Sequence, residues 1–507
     1  MTDSSAGQQG RSVFQWIGIF AGPLLGVMAW WFARQAWHQP TTSGEESHLA
    51  EMAGLGVLMA VWWLTEALPI AATAILPLAL FPLFHVMPAK EVALCYGDNN
   101  MFLFLGGFLV ALGVEECGLH RRLALSIVSA LGDTPGRVVL GFMVSTWSLS
   151  MWLSNTATTM MMLPIATSVL LEAERAGVSR LSLKNFGIST VLGIAYSASI
   201  GGVATLIGTP TNLVFRKEWA RNFADLPEIT FAGWMALAAP LSAVFLLVTW
   251  WMLTRWLFPV GNVPLLGGRE VIHRLRDELG PIRPSERRMT VIFLLTALLW
   301  IFREPVEGWG WAPALHVAFL PDGKTRLADD STVAMLMAVV CFLVPSAGWN
   351  SKPLLTWEAT VRVPWGILLI FGGGFALAEG MKVTQLDQQL GQLMSQGLQH
   401  VPPLLMVCCA SLGMTFFTEV TSNVASTQMV LPLLAQTCQT LHIAPAPLMM
   451  SVTISASFAF MLPVATPPNA IVYGSGRVTM QDMIRAGFFL NLVGVLLVTA
   501  AAWLFPW

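Results

Sequence analysis

The chain has 507 residues, of which 55% are hydrophobic and only 11% charged, and its formal net charge is −2. Soluble domains carry about 25% charged residues, so this composition argues against a soluble enzyme or binding module. The near-neutral balance of charges offers no electrostatic footprint for nucleic acid. Apolar runs long enough to cross a lipid bilayer recur along the whole chain and predict a multi-pass membrane protein.

Hydropathy predicts an all-α integral membrane protein with about eleven transmembrane helices and two further apolar stretches, 137–171 and 402–440. Polar residues interrupt both stretches near the middle. Each arm of the first covers roughly 21 Å, less than a hydrocarbon core of about 30 Å, so we expect two re-entrant hairpins. The predicted spans are 12–34, 50–67, 69–86, 100–116, 186–216, 230–258, 288–304, 332–347, 364–381, 446–476 and 483–506.

Two short polar motifs mark the hairpin tips, Ser154-Asn155-Thr156 and Ser422-Asn423-Val424. Downstream of each, a Pro-containing motif breaks an apolar span: Thr209-Pro210-Thr211-Asn212 and Thr466-Pro467-Pro468-Asn469. Uncovered polar backbone is costly in a bilayer and survives where protein buries it or where it lines a water-filled cavity. The two motif pairs therefore predict a transport site built from two repeats.

Residue matches support the internal repeat. Gly106-Gly107-Phe108 recurs as Gly373-Gly374-Phe375 at an offset of 267, and Ser154-Asn155 recurs as Ser422-Asn423 at an offset of 268. We expect these glycines to pack helices closely and not to bind a nucleotide. Five predicted spans separate the hairpins, an odd number, so the repeats are expected to have inverted topology.

Basic residues predict the orientation in the membrane. The linker 259–287 is rich in arginine and is expected in the cytoplasm, as is the N-terminus. The loop 305–331 and the C-terminus then lie outside. Arg216, Lys217 and Arg221 fall near the outer end of a span and count against this orientation.

The polar motifs supply uncharged ligands of two kinds. Hydroxyls and a helix N-terminus suit an anion, whereas amide and backbone oxygens suit Na⁺. No nucleophile–base pair or metal-ligand spacing accompanies them, so the sequence does not predict an enzyme. Glu419 beside the second tip is a candidate for proton coupling, but a hydrogen-bonded structural group near a sodium site is the favoured interpretation.

Together these motifs resemble the divalent anion/sodium symporter family, and the resemblance extends from Thr65 to Gly476. It implies a homodimer in which a transport domain moves against a scaffold in an elevator motion, and at least two co-transported Na⁺ ions. The first sodium site would use Ser150, Ser154, Asn155 and Gly202, and the second Thr418, Thr421, Asn423 and Ala465. The anion would be bound by Ser154, Asn155, Thr156, Ser422, Asn423, Thr466 and Pro467.

The domains expected from this resemblance are scaffold helices in 1–131, transport-domain elements in 132–258, a cytoplasmic linker and second scaffold part in 259–398, and further transport-domain elements in 399–507. The expected function is sodium-coupled import of a small divalent anion, with a C4-dicarboxylate such as succinate as the substrate, across a bacterial inner membrane. A sodium-independent dicarboxylate exchanger and a sulfate or citrate transporter are the alternatives. Val424 replaces the threonine of the first motif and removes one hydroxyl from the anion site.

Overall fold

A computed structural model of the protein describes residues 12–37, 48–131, 134–175, 180–261, 268–304, 310–318 and 327–504. Parts of the 259–287 linker and of the 305–331 loop, which contribute to the predicted orientation, lie outside these ranges. Within the described ranges the regular structure is helical, apart from one isolated bridge between Pro345 and Pro353.

The first half of the chain forms twelve α-helices, the last of which continues as a π-helix over Met252–Leu257. They are α1 (Val13–Ala36), α2 (Leu49–Thr65), α3 (Ile70–Thr73), α4 (Leu76–Leu83), α5 (Ala89–Cys95), α6 (Asn99–Cys117), α7 (Leu119–Leu131), α8 (Pro135–Ser150), α9 (Asn155–Arg175), α10 (Arg180–Val203), α11 (Pro210–Asn222) and α12 (Phe231–Trp251).

The second half adds eleven α-helices and a 3-10 helix at Trp357–Arg362. They are α13 (Gly268–Asp277), α14 (Pro284–Ile301), α15 (Trp311–Ala314), α16 (Asp330–Leu343), α17 (Trp365–Val383), α18 (Leu386–Leu398), α19 (Pro403–Phe417), α20 (Asn423–Leu441), α21 (Pro445–Ser455), α22 (Pro467–Gly474) and α23 (Met480–Leu504).

Seven helical segments of the described residues are long and apolar enough to cross a membrane. Three further apolar segments, Leu49–Thr65, Ile70–Leu83 and Asp330–Leu343, are shorter. The number of transmembrane helices, predicted as about eleven, therefore stays a prediction.

The internal repeat is visible in the helix boundaries. Helices α7 and α18 begin 267 residues apart, at Leu119 and Leu386, and α8 and α19 begin 268 residues apart. The second hairpin arms, α9 and α20, keep the offset of 268. Both predicted tip interruptions and both predicted breaks are present, because α8 and α9, α10 and α11, α19 and α20, and α21 and α22 are separate helices.

Contacts divide the described residues into two compact units. The first holds α1 to α5, α17, most of α18 and residues 428–440 of α20. Glycines allow its helices to approach closely: a Cβ on Gly26 of α1 would lie 2.9 Å from the carbonyl oxygen of Gly54 in α2. A Cβ on Gly373 of α17 would lie 2.2 Å from the carbonyl oxygen of Ala74. Close packing is thus the role of this glycine-rich stretch, as predicted.

The second unit holds α6 to α16, α19 and α21 to α23, together with the start of α20. Helix α10 lies at its centre, where every residue from Phe186 to Val203 is buried. Helices α8, α9, α12 and α22 pack around it. Both tips and both breaks of the predicted site belong to this one unit.

A buried ionic cluster joins three helices of the second unit. Arg216 of α11 lies 3.0 Å from Asp330 at the start of α16 and 2.8 Å from Glu228. Arg303, just after α14, lies 2.8 Å from the same aspartate. Asp330 and Arg303 are fully buried. Because two arginines share the charge of one aspartate, loss of that carboxylate would leave both insufficiently paired.

We expect Asp330→Ala to lower the free energy of unfolding by about 3–5 kcal/mol, because it leaves buried guanidinium groups without their partner. Unfolding in detergent, followed by far-UV circular dichroism, measures the change. Glu116→Gln is the matched control. Glu116 is 40% exposed where it pairs with Arg362, and its loss should cost less than about 1 kcal/mol. Equal losses in both variants would contradict the stabilising role of the cluster.

Candidate functional site

The tip of the first hairpin lies at residues 151–154, between α8 and α9. Ser154 caps α9, since its Oγ accepts a hydrogen bond from the backbone N–H of Ala157 at 3.1 Å. Asn155 and Thr156 therefore form the first turn of α9 and are helical. The N–H groups of a first helical turn have no partner within the helix and can bind an anion.

Three residues of the predicted first sodium site meet directly. The hydroxyl of Ser150 donates to Oδ1 of Asn155 at 2.5 Å and lies 2.8 Å from the carbonyl oxygen of Ala198. A Cβ on Gly202 would lie only 2.7 Å from that same Oδ1, so the glycine leaves the space that the amide occupies. Hydroxyl, amide and carbonyl oxygens thus converge where the hairpin tip meets the end of α10.

The first break, residues 204–209, is held by an asparagine and a threonine. The side-chain N–H₂ of Asn212 donates to the carbonyl oxygen of Thr205 at 2.7 Å and also reaches those of Gly202 and Val203. The hydroxyl of Thr205 donates to the carbonyl oxygen of Met151 at 2.5 Å and accepts from the N–H of Gly208. Thr205 therefore ties the break to the first tip.

The tip of the second hairpin lies between Phe417, the last residue of α19, and Asn423, the first of α20. The hydroxyl of Thr421 shares a 2.6 Å hydrogen bond with that of Ser426, and the hydroxyl of Thr418 donates to carbonyl oxygens of its own helix. Oδ1 of Asn423 is buried and has no hydrogen-bond partner. An acceptor left open in this way is suited to a cation.

The second break, residues 456–466, is longer than the first. Asn469, the counterpart of Asn212, donates to the carbonyl oxygens of Ala459 at 2.9 Å and Leu462 at 3.0 Å. Thr466 caps α22 by accepting from the N–H of Asn469. Ala465 is half-buried, Thr466 is buried and Pro467 is exposed.

Glu419 connects the second tip to the second break. Its Oε1 accepts hydrogen bonds from the backbone N–H groups of Phe460 at 2.8 Å and Met461 at 2.9 Å and from Nδ2 of Asn491 at 2.7 Å. Its Oε2 accepts from the N–H of Leu462 at 3.0 Å. These contacts match the hydrogen-bonded structural group that the sequence favoured, and they link Thr418 and Thr421 to the segment that leads to Ala465.

The two breaks also meet each other. The hydroxyls of Thr211 and Ser457 lie 3.3 Å apart, and the ring of Tyr196 packs edge-on against that of Phe460 at 5.0 Å between centroids. The predicted residues of both motif pairs are therefore parts of one connected structure within the second unit.

Several residues of this structure were not predicted as site residues. Thr205, Asn212, Asn469 and Asn491 act on the backbone of the breaks and bridge elements distant in the sequence. A signal was available for two of them, since Asn212 and Asn469 close the duplicated Pro-containing motifs. Trp152 at the first tip stacks on Trp300 of α14, with 6.4 Å between ring centroids.

Comparison with protein families supports this organisation. The family model described as "Sodium:sulfate symporter transmembrane region" matches residues 26–507. The sodium-dependent dicarboxylate transporter SdcS of Staphylococcus saprophyticus is 37% identical over 491 residues, which cover 96% of this chain and 90% of the relative. The protein of the same name from Staphylococcus aureus matches with the same identity and coverage.

Two solved structures share the fold at low sequence identity. MtrF of Neisseria gonorrhoeae superposes with a TM-score of 0.60 at 13% identity, covering 97% of this chain and 95% of that one. The YdaH transporter of Alcanivorax borkumensis gives a TM-score of 0.54 at 14% identity, covering 89% and 99%. The family match and the 37% identity confirm the resemblance seen in the motifs. The chain belongs to the sodium:sulfate symporter family of multi-pass membrane transporters.

Proposed function

We propose that this protein is a sodium-coupled symporter that imports a small divalent anion, with succinate or another C4-dicarboxylate as its substrate. The observation that carries the proposal is the duplicated pairing of a hairpin tip with a broken helix inside one compact unit. Each pair presents uncharged oxygen ligands beside helix ends that have lost their backbone partners.

The donor sets fit Na⁺. At the first site, Ser150, Ser154, Asn155 and Gly202 offer hydroxyl, amide and carbonyl oxygens around the space that a glycine keeps open. At the second site, Oδ1 of Asn423 has no hydrogen-bond partner, and Thr418, Thr421 and Ala465 supply the remaining oxygens. Hard oxygen ligands without a coordinating carboxylate suit a weakly bound monovalent ion that must be released again.

The anion site follows from the same elements. Ser154, Asn155 and Thr156 begin α9, Ser422 and Asn423 begin α20, and Thr466 and Pro467 begin α22, so partial positive charge from the ends of α9 and α20 faces the substrate. Neutral donors alone hold a dianion weakly, and bound Na⁺ ions beside them supply the missing attraction. We therefore expect sodium to bind before the substrate.

The names of the relatives support sodium and dicarboxylate. The SdcS proteins are sodium-dependent dicarboxylate transporters, and the segments 150–156, 418–424 and 463–469 contain no lysine or arginine that would replace a sodium ion. The family description names sulfate instead. Val424 gives the second tip one hydroxyl fewer than the first and leaves anion selectivity as the main alternative to decide.

Transport by an elevator motion is part of the proposal. Elements of 132–258 and 399–507 would carry the site past a scaffold formed by 1–131 and 259–398, in a homodimer with a cytoplasmic N-terminus and an outer C-terminus in a bacterial inner membrane. Inside the second unit, such a motion has to separate Trp152 and Phe231 from Trp300, and Arg216 from Asp330.

Radiolabelled succinate uptake into proteoliposomes tests the function. Uptake is expected with an inward Na⁺ gradient and not when K⁺ replaces Na⁺, because the sodium charges complete the anion site. Unlabelled sulfate and citrate, added in excess, should compete weakly. Uptake in K⁺ that requires internal succinate would identify an exchanger and overturn the symport proposal.

The site itself is tested by Gly202→Ala. The new methyl group collides with the amide of Asn155, and sodium-dependent uptake should fall by about tenfold or more as this ligand is displaced. Gly413→Ala in α19 is the control, since a Cβ there meets no atom within 4 Å. Its uptake should equal that of the unmodified protein. Normal uptake by Gly202→Ala would remove this glycine from the sodium site.

A further inference from the structure

Glu419 is an acidic side chain placed in apolar surroundings. It is only 3% exposed, and its carboxylate accepts four hydrogen bonds, three from successive backbone N–H groups and one from Asn491 of α23. A buried carboxylate with this many donors is strongly held, because each loses far more on exposure to apolar surroundings than an exposed group would.

The three N–H groups need this acceptor because their helix has unwound. Helix α21 ends at Ser455, so residues 460–462 have no carbonyl partner one turn back. In the first repeat, the matching residues Gly202 and Val203 are still part of α10. Glu419 therefore replaces helical hydrogen bonds that the second repeat gives up, and it does so from the hairpin that carries Thr418, Thr421 and Asn423.

The first repeat solves the same problem without charge. The offset of 268 that relates the tips places Met151 opposite Glu419. There the link from tip to break runs through a hydroxyl: Thr205 donates to the carbonyl oxygen of Met151 and accepts from the N–H of Gly208. The two frames are thus equivalent in position but differ by one formal negative charge.

We propose that Glu419 is the positioning residue of the second sodium site. It fixes the tip of the second hairpin against residues 460–462 and adds a negative charge next to Thr418, whereas the first site relies on neutral links. The inference rests on the proposed sodium coupling and assigns the two sites unequal dependence on charge. A cation bound among neutral oxygens gains from a fixed carboxylate in a region of low dielectric constant.

A purely structural role and a positioning role predict different sodium dependence. If Glu419 only stabilised the fold, its loss would lower the melting temperature equally with and without Na⁺. If it positions the site, its loss must also raise the sodium concentration needed for half-maximal stabilisation, because a ligand that binds the folded state stabilises it according to its affinity.

The test measures thermal unfolding of the purified protein across a range of NaCl concentrations, with KCl keeping the ionic strength constant. For Glu419→Gln, we expect the half-saturating Na⁺ concentration to rise by about tenfold or more, since charge is lost and one of the two carboxylate acceptors becomes an N–H₂ donor. Asn491→Ala keeps the charge and removes one hydrogen bond, so a smaller rise in the same direction is expected, and this variant also covers the case in which Glu419→Gln does not fold.

Glu174→Gln is the control, because that carboxylate is part-exposed and pairs with Arg477; its half-saturating concentration should not change. An unchanged value in Asn491→Ala, together with an unchanged value in or a failure to fold of Glu419→Gln, would overturn the positioning role and leave sodium coupling intact. Absence of any Na⁺-specific stabilisation in the unmodified protein would instead contradict sodium coupling itself, and the positioning role with it.

Discussion

The need to satisfy broken backbone inside a membrane protein governs this structure. Interrupting a helix in apolar surroundings leaves N–H and carbonyl groups that water cannot reach, and each costs free energy unless a partner is found. Here side chains supply the partners: Asn212 and Asn469 donate to the carbonyl groups of the two breaks, while Thr205 and Glu419 bind their N–H groups. The polar atoms that remain open are the ones available to ions and substrate.

The two repeats meet this requirement in different ways. The first break is short and stays close to helical geometry, so a threonine hydroxyl is sufficient to tie it to its hairpin. The second break unwinds earlier and needs a full carboxylate. A similar use of charge occurs in the cluster of Arg216, Arg303 and Asp330, where buried ions connect helices that hydrophobic packing alone would not fix in register.

Prolines, glycines and short polar motifs in apolar runs are strong local signals, and they were sufficient to predict both tips and both breaks. Hydropathy is weaker at helix ends: α10 begins at Arg180 and not near residue 186, because its polar first turn does not contribute to the apolar average. The partners of Glu419 could not be predicted, since they lie 41 to 72 residues away and no periodicity relates them. Likewise, Asn155 begins a helix because Ser154 caps it, a distinction that a polar motif alone does not make.

The enclosure of α10 has a consequence for biosynthesis. All of its residues from Phe186 to Val203 are buried in the finished protein, among them the hydroxyl-bearing Ser197 and Ser199. One of the helices that cover it, α22, is made more than 250 residues later. While the ribosome is still translating the second repeat, this face of α10 must rest against lipid or a chaperone, because its final neighbour does not yet exist. A chain stopped before α22 therefore keeps polar groups exposed in the bilayer, a feature by which membrane quality control can distinguish it from the complete transporter.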